Sequence, residues 1–197
     1  HLRDAQAIDK LAEKAENIVI IGSGLVGLDA AYGLMETGKK VSIVEMADQI
    51  LPVQLDKTGA YEYQKRFEKA GAVFYLGRKA ADTVMGEDKI IREIILDNGE
   101  KLPCDLIIVA AGVRSAVAGM EGEGIVIDRG IKVDDYLQTG AEGVYAAGDV
   151  TGLSGIWPNA QKQGETAALN MCGSHVEYTD RYAMKNTINF FGLVSMC

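Results

Sequence analysis

The sequence predicts an α/β fold built on a parallel β-sheet, and three observations point to it. Short continuous apolar runs, such as NIVII at 17–21, are typical of strands that are buried on both faces. These runs alternate with segments of helical periodicity, as in βαβ units. Glycine makes up 23 of the 197 residues, above the usual share of about 7%, which indicates many tight turns and close backbone approaches.

The clearest element group is a βαβ unit near the start of the chain. After the strand at 17–21, apolar spacing predicts a helix over 25–37, and Gly38 follows as its stop signal. The run KVSIVE at 40–45 is predicted as the next buried strand. Strand, helix and strand within about 30 residues imply parallel strands joined by a right-handed crossover.

Two further helices are predicted in this part of the chain. Residues 5–15 have helical periodicity that places Ile8 and Leu11 on one side. Residues 55–70 form the second helix, which Gly71 closes. Its aromatic packing stripe is expected to contain Tyr61, Tyr63 and Phe67.

The third and fourth strands of the parallel sheet are predicted at 72–77 and 105–112. Between them the distribution of apolar residues changes. Within residues 80–103, apolar runs flank an Asp-Asn-Gly turn at 97–99, which is a hairpin signal. The sequence therefore predicts an antiparallel flap inserted before the fourth strand.

The last third of the chain is less regular. Residues 125–133 read as short strand and turn material, and 143–149 (GVYAAGD) as one more buried strand. A helix is predicted over 159–172, and the tail from Tyr178 is ambiguous. Small residues should give that helix a face for close packing, made of Ala160, Gly164, Ala167 and Ala168.

Charge and composition argue against several classes of partner. The formal net charge is −8 and no basic stripe is present, so nucleic acid is not an expected partner. An acidic surface also disfavours anionic membranes. No apolar run reaches the ~18 residues of a membrane span, and no signal peptide is recognisable.

The cysteines and histidines carry no site of their own. Cys104, Cys172 and Cys197 are far apart and odd in number, which argues against a disulfide scaffold and fits a reducing cytoplasm. Two histidines, His1 and His175, are too few for a metal site built on imidazoles. We expect Cys104 to be a small core residue and His175 a surface loop residue.

The main functional motif is the glycine-rich turn GSGLVG that follows the first strand. Gly22 would allow the tight turn, Gly24 would let a pyrophosphate approach the backbone, and Gly27 would let the helix pack on the strand. The helix N–H groups and dipole would then face the anion. A Rossmann-like dinucleotide site is predicted over Gly22, Ser23, Gly24, Leu25, Val26 and Gly27. The alternative is a turn that serves packing alone.

An acid at the end of the second strand supports the dinucleotide hypothesis. Glu45 lies 21 residues after Gly24, a distance at which a carboxylate accepts hydrogen bonds from a ribose. Because it would repel a 2′-phosphate, NAD(H) is favoured over NADP(H), with Met46 beside it in the site. The alternative is a solvated acid at a strand end.

A second nucleotide-type signature lies at the ends of two other predicted strands. Residues 105–112 and 143–149 both end in small residues, which would let a cofactor approach the backbone at Gly112 and Gly148. Asp149 would offer a carboxylate to a hydroxyl group. Each could equally be an ordinary strand end with an aspartate that caps the next turn.

Together these residues resemble the flavin-dependent pyridine nucleotide-disulfide oxidoreductase family, most of all its NADH oxidase, rubredoxin reductase and nitrite reductase-like branch. The family implies a Rossmann-like three-layer nucleotide-binding domain with an inserted antiparallel β flap, plus the returning half of an FAD-binding domain. It implies an NAD(P)-binding domain at 1–112, the C-terminal half of an FAD domain at 113–177, and the start of a linker or dimerisation segment at 178–197. The matching segments are VIIGSGLVGLDAA, VSIVEMADQILP, DNGEKLPCDLIIVAAGVR, QTGAEGVYAAGD and WPNAQKQGETAALNM.

The resemblance also implies roles for the motif residues. NADH would lie on Gly22–Gly27 with Glu45 on its adenosine ribose, and Gly112 would lie near the nicotinamide half. Asp149 would bind the ribitol of FAD, and Trp157 would either wall the flavin site or only cover an edge. Hydride would pass from NADH to FAD and then to a disulfide, oxygen or small redox protein, in a full-length protein that is a homodimer.

Two departures from the family pattern limit these roles. The family's first glycine motif, its redox cysteines and its dimerisation domain are not in this sequence, so we expect an internal fragment of a longer protein. Asp29 stands where the family often has glutamate, and no catalytic residue is assigned. Two other hypotheses remain open, namely the reductase half of a 2-enoate reductase-type flavoprotein and a non-catalytic nucleotide-sensing module.

Overall fold

The computed structural model describes residues 2–180 and 186–197, which divide into two units. The first unit contains residues 2–112 and 186–197, and the second contains residues 113–180. The elements of the first unit are α1 (Leu2–Ala12), β1 (Asn17–Ile21), α2 (Leu25–Glu36), β2 (Lys40–Glu45), α3 (Lys57–Lys69), β3 (Val73–Leu76), β4 (Ala80–Met85), β5 (Ile91–Leu96), β6 (Lys101–Pro103), β7 (Leu106–Val109), β8 (Thr187–Phe190) and β9 (Leu193–Met196).

A parallel four-stranded sheet lies at the centre of the first unit, with strand order β3-β2-β1-β7. Side chains alternate across its strands. Ile18 and Ile20 of β1 pack in one core with residues of α1, α2 and α3. Val19 of the same strand packs in a second core against the antiparallel sheet β4-β5-β6. The first unit therefore has three layers, and the predicted parallel sheet and flap are confirmed.

The flap contains one strand more than the hairpin that the sequence indicated. The predicted hairpin is β5 and β6, and β4 pairs with β5 on its other side. Residues of β4 are mostly exposed, so the segment has no apolar alternation that would identify it as a strand. Ile94 and Leu96 of β5 supply the buried contacts to the parallel sheet.

Two of the side chains predicted to lie on helix stripes are exposed. Leu11 was predicted on the same side of the first helix as Ile8, but it is exposed, whereas Ile8 packs against the core and Ala12 and Ala15 are buried. Helix α1 begins at Leu2 rather than Ala5. Tyr61 was expected in the aromatic stripe of α3, but it is exposed and Lys65 Nζ lies 4.7 Å from its ring centroid.

The C-terminal residues form a hairpin that belongs to the first unit. Strands β8 and β9 pair antiparallel, and Phe190 packs edge-on against Phe67 of α3 at 5.2 Å between ring centroids. The Tyr63 hydroxyl lies 2.9 Å from Ser195 Oγ. The segment 178–197, expected as the start of a linker or dimerisation segment, contributes residues to both units, because Tyr178 packs in the core of the second unit. Residues 181–185 of that segment lie outside the described residues.

The second unit contains little regular structure besides a 3-10 turn (Gly148–Thr151) and helix α4 (Trp157–Met171). The prediction of a buried strand over 143–149 is wrong. Within that segment the described structure has one isolated bridge, between Gln138 and Tyr145, and Gly143 and Val144 are exposed. A buried strand needs a hydrogen-bonded neighbour on each side, and the described part of the second unit supplies no such pair.

Across residues 2–180 and 186–197, none of the helices combines the length and the apolar character that crossing a bilayer requires.

One carboxylate ties the beginnings of two neighbouring parallel strands together. Asp105 Oδ2, just before β7, accepts hydrogen bonds from Asn17 N at 2.8 Å and Glu16 N at 3.1 Å, both at the start of β1. Asn17 Nδ2 donates a third at 3.2 Å. These donors, chiefly the backbone N–H of Asn17, lower the pKa of Asp105 below its ordinary value of 3.8.

Replacing this carboxylate should lower stability in a pH-dependent way. We expect Asp105→Asn to reduce the free energy of unfolding by about 1–2 kcal/mol near neutral pH, since hydrogen bonds to a charged acceptor are lost. The pKa is depressed in the folded state, so the contribution is complete above the ordinary pKa of 3.8 and disappears as pH falls through the folded value.

Urea denaturation near neutral pH and again at about pH 3 measures this difference. The exposed Asp9 on α1 offers a matched control, and Asp9→Asn should change stability by less than about 0.5 kcal/mol. An Asp105→Asn effect that is equally large at both pH values would contradict the assignment.

Candidate functional site

The glycine-rich turn joins β1 to α2 at the carboxyl edge of the parallel sheet. Gly22 has φ of +104°, and a Cβ on it would lie 2.4 Å from the carbonyl oxygen of Ala110. A Cβ on Gly27 would lie 2.1 Å from the carbonyl oxygen of Gly22. Both distances are shorter than any tolerated contact, so these two glycines are required for the close crossing of the chain itself.

Gly24 is different, because protein packing does not explain it. A Cβ built on Gly24 would meet no heavy atom within 4 Å, and its φ of −70° is open to any residue. Gly24 is the N-cap of α2 and makes no side-chain capping hydrogen bond. A bare stretch of main chain therefore faces open space at a helix N-terminus, which is the environment that a pyrophosphate requires.

Glu45 lies at the end of β2 and is hydrogen-bonded to the same turn. Glu45 Oε2 accepts from Ser23 N at 2.9 Å and from Ser23 Oγ at 2.8 Å, and Oε1 accepts from Ala47 N at 2.8 Å. A carboxylate has about four acceptor positions, so capacity remains for a hydroxyl group. The bonds fix the carboxylate beside the glycine turn.

The role of Ser23 was not separated from that of the turn by sequence reasoning. Its side chain is completely buried, and its hydroxyl donates to Glu45 rather than to a solvent-exposed partner. The contact between Ser23 and Glu45 could have been expected from the sheet topology. Strands β1 and β2 are parallel neighbours with Ile21 opposite Val44, so residues just beyond their ends lie side by side.

Exposed apolar side chains surround the turn. Val26, Met46 and Val109 are 73%, 66% and 72% exposed, and each lies at or near the carboxyl end of a parallel strand. Gly112 follows β7 at this edge with φ of +94°. The structure thus brings the predicted turn, Glu45, Met46 and Gly112 to one edge of one sheet. Exposed apolar surface of this kind is typical of a ligand-binding rim.

A groove of about 850 Å³ runs beside the turn, between α1, α2 and the end of β7. Asp29 lines it together with Val26 and Val109. Partial burial in the groove raises the pKa of the Asp29 carboxyl above its ordinary value. Asp29 therefore holds its proton to a higher pH than a fully solvated aspartate.

The predicted flavin-side residues lie in the second unit. Gly148 begins the 3-10 turn with φ of +81°, and Asp149 follows it with an exposed side chain. The carbonyl oxygen of Asp149 accepts a hydrogen bond from Ser115 Oγ at 2.7 Å. Trp157, the first residue of α4, is 79% exposed. Gly148 and Asp149 are therefore adjacent on a turn whose main chain is hydrogen-bonded and whose carboxylate is accessible.

The buried face of α4 is polar, which contradicts the predicted small-residue face. Gly164 and Ala168 are exposed, and Ala167 is the one member of that face that is buried. Polar side chains occupy the buried stripe, and two of them, Gln163 and Asn170, are hydrogen-bonded to backbone groups of the neighbouring loops, as buried polar atoms require. The polar residues of this stripe are Asn159, Gln163, Thr166 and Asn170.

Cys104 and His175 lie where the sequence predicted them, in the core and on a surface loop. Cys104 is buried in the core beneath the flap, and its burial raises the pKa of the thiol. His175 is exposed on a loop, where its ring stacks on Tyr136 at 4.2 Å between centroids. No group of three or more His, Cys, Asp or Glu side chains that could hold a metal ion occurs within 2–180 and 186–197.

Known proteins similar to this chain were found by family, by sequence and by structure. The model of the family described as pyridine nucleotide-disulphide oxidoreductase matches residues 1–164. The assimilatory nitrate reductase electron transfer subunit of Bacillus subtilis (strain 168) is 34% identical over 176 residues, which are 87% of this chain and 23% of that protein. Subunit epsilon of the NADH-dependent phenylglyoxylate dehydrogenase of Aromatoleum evansii is 34% identical over 205 residues, covering 97% and 47%.

Among solved structures, a NAD-dependent persulfide reductase from A. fulgidus superposes with a TM-score of 0.81 at 27% identity, covering 96% of this chain and 37% of that one. The chain thus spans less than half the length of each of these three proteins.

Proposed function

The chain belongs to the pyridine nucleotide-disulphide oxidoreductase family, and on that premise we propose that it is the NADH-binding portion of a flavin-dependent oxidoreductase. The observation that carries the proposal is Gly24, whose main chain is open at the N-terminus of α2 although no packing constraint requires glycine there. A nucleotide diphosphate on this surface would meet the helix N–H groups and the positive end of the helix dipole.

The proposed nucleotide is NADH rather than NADPH. Glu45 is fixed beside the turn by Ser23 and Ala47, and its remaining acceptor capacity suits the hydroxyls of an adenosine ribose. A 2′-phosphate in the same position would place two anions in contact, which is unfavourable. The name of the relative from Aromatoleum evansii includes NADH dependence, in agreement with this choice.

The proposed role of the second unit is to hold part of FAD. Asp149 presents an accessible carboxylate from a turn whose main chain is hydrogen-bonded to Ser115, which suits the hydroxyls of a ribitol chain. When bound, FAD would supply the hydride acceptance and onward electron transfer that side chains lack. Trp157, the first residue of α4, has an exposed indole ring. Aromatic surfaces commonly cover planar ligands.

A disulfide, oxygen or a small redox protein would accept the electrons from the flavin. Three of the proteins that match this chain have names that refer to nitrate reductase, phenylglyoxylate dehydrogenase and persulfide reductase, and this chain spans less than half of each. We propose that the acceptor, whether a disulfide, oxygen or a small redox protein, is selected by parts of the protein beyond these 197 residues.

Adding one methyl group at Gly24 should weaken NADH binding without unfolding the protein. A Cβ there has free space and an allowed backbone conformation, but it would occupy the surface proposed for the diphosphate. We expect Gly24→Ala to raise the Kd for NADH at least about tenfold, or ~1.4 kcal/mol, in isothermal titration calorimetry.

Gly33 provides a matched control for this substitution. It also lies in α2, and a Cβ on it likewise meets no heavy atom within 4 Å. Gly33→Ala should leave the Kd for NADH unchanged and should stabilise the helix by about 0.5–1 kcal/mol. Equal NADH affinity in Gly24→Ala and the wild type would overturn the proposed site.

The nucleotide preference should depend on the Glu45 charge. We expect the wild type to bind NADH at least about tenfold more tightly than NADPH, and Glu45→Gln to narrow that ratio, mainly by improving NADPH binding, because the repulsion of the 2′-phosphate is removed. Calorimetric titration of both proteins with both nucleotides measures the ratio. Tighter binding of NADPH than NADH by the wild type would remove the proposed role of Glu45.

A further inference from the structure

Gln163 is the most fully buried of the polar side chains on α4, with no exposed surface. The helix is otherwise half solvated, since both neighbours of Gln163, Lys162 and Gly164, are exposed. Burying an amide is unfavourable unless its polar atoms are hydrogen-bonded. The partners of Gln163 therefore indicate what this residue does.

The Gln163 amide connects the turn of the second unit to a loop residue on its other side. Gln163 Oε1 accepts a hydrogen bond from Gly148 N at 2.7 Å and lies 3.3 Å from Thr151 Oγ1. The Thr151 hydroxyl donates to Gly148 O at 2.8 Å. On the far side, Gln163 Nε2 lies 3.5 Å from the hydroxyl of the buried Tyr178.

These contacts hold both polar groups of Gly148. Its N–H is bound by Gln163 and its carbonyl by Thr151, while φ is +81°. Glycine occupies positive and negative φ about equally readily when nothing restrains it. Because Asp149 comes next in the chain, the orientation of the Gly148 peptide sets the direction in which the Asp149 side chain leaves the turn.

In the described part of the second unit, no sheet fixes the direction of the Asp149 side chain. The segment that leads into the turn forms one isolated bridge, between Tyr145 and Gln138. Its backbone hydrogen bonds to the preceding loop run from Thr139 N to Val144 O at 2.8 Å, from Val144 N to Ala141 O at 3.2 Å and from Ala146 N to Leu137 O at 3.1 Å. A strand would have fixed the direction of Asp149 through its ladder. Here the restraint nearest to Gly148 comes from a side chain of α4.

We propose that Gln163 is a positioning residue for flavin binding, which holds the Gly148 peptide so that the Asp149 carboxylate is presented to the ribitol of FAD. The proposal rests on the proposed function. Gln163 would not touch the cofactor itself and would act through the main chain of the turn.

The test uses the full-length protein as it is encoded and the variants Gln163→Leu, Gln163→Asn and Gln163→Glu. Leucine removes the acceptor, asparagine keeps the amide but withdraws it by one methylene, and glutamate keeps an acceptor oxygen at the original distance. Tyr178→Phe is the matched control, since it removes the partner of Nε2 and leaves the bond to Gly148 in place.

Three quantities are measured for each variant, namely the Kd for FAD from flavin fluorescence, hydrogen exchange at the Gly148 amide, and the Kd for NADH. We expect Gln163→Leu and Gln163→Asn to raise the Kd for FAD about tenfold or more and to accelerate exchange at Gly148. Gln163→Glu should restore FAD affinity to within about threefold of the wild type. Tyr178→Phe should retain it, and the Kd for NADH should not change in any variant.

The outcomes separate this proposal from the function on which it rests. If Gln163→Leu does not fold, the asparagine and glutamate variants carry the comparison. Faster exchange at Gly148 with unchanged FAD affinity would show a purely structural role and overturn the positioning proposal while the proposed function stands. A wild type that binds no FAD would overturn the proposed function of the second unit and this proposal with it.

Discussion

The edge of the first unit that we propose as the nucleotide site depends on one steric constraint, the crossing of the main chain at Gly22. There the backbone passes so close to the Ala110 carbonyl that a Cβ would lie 2.4 Å from its oxygen. Gly27 then packs against Gly22 in the same way. These two contacts place the N-terminus of α2 directly over the ends of β1 and β7. Gly24, which lies between them, is thereby left with open main chain.

The two proposed cofactor sites are held by different means. In the first unit, the parallel pairing of β1 with β2 brings Glu45 to Ser23, so backbone geometry provides the preorganisation. In the second unit, the described residues contain no comparable sheet, and buried polar side chains of α4 bind the loops instead. Asn170 Nδ2, for example, donates to the carbonyl oxygens of Tyr136 and Val176. Hydrogen bonds from such side chains replace the missing ladder.

Features with a local physical cause could be predicted from the sequence. The strand at 17–21 and the helix after it follow from side-chain periodicity, and the turn between them follows from glycine spacing. Features that depend on partners distant in the sequence could not be predicted in this way. Strand β4 is identified by its pairing with β5, and the exposure of Leu11 is seen in the folded structure and not in the periodicity of its helix. The segment 143–149 is strand-like in composition, yet among the described residues its pairing is limited to one isolated bridge, between Tyr145 and Gln138. The contacts of Gln163 needed the fold, because glutamine at a helical position ordinarily indicates a solvated face.

The central claim, that a diphosphate rests on the main chain at the start of α2, is tested most directly by the backbone amides themselves. Titration of isotope-labelled protein with NADH, followed by two-dimensional NMR, reports each amide separately. We expect the largest shift changes at the amides of Gly24, Leu25 and Val26. Saturating NADH that leaves these three amides unperturbed, while shifts appear elsewhere, would contradict it.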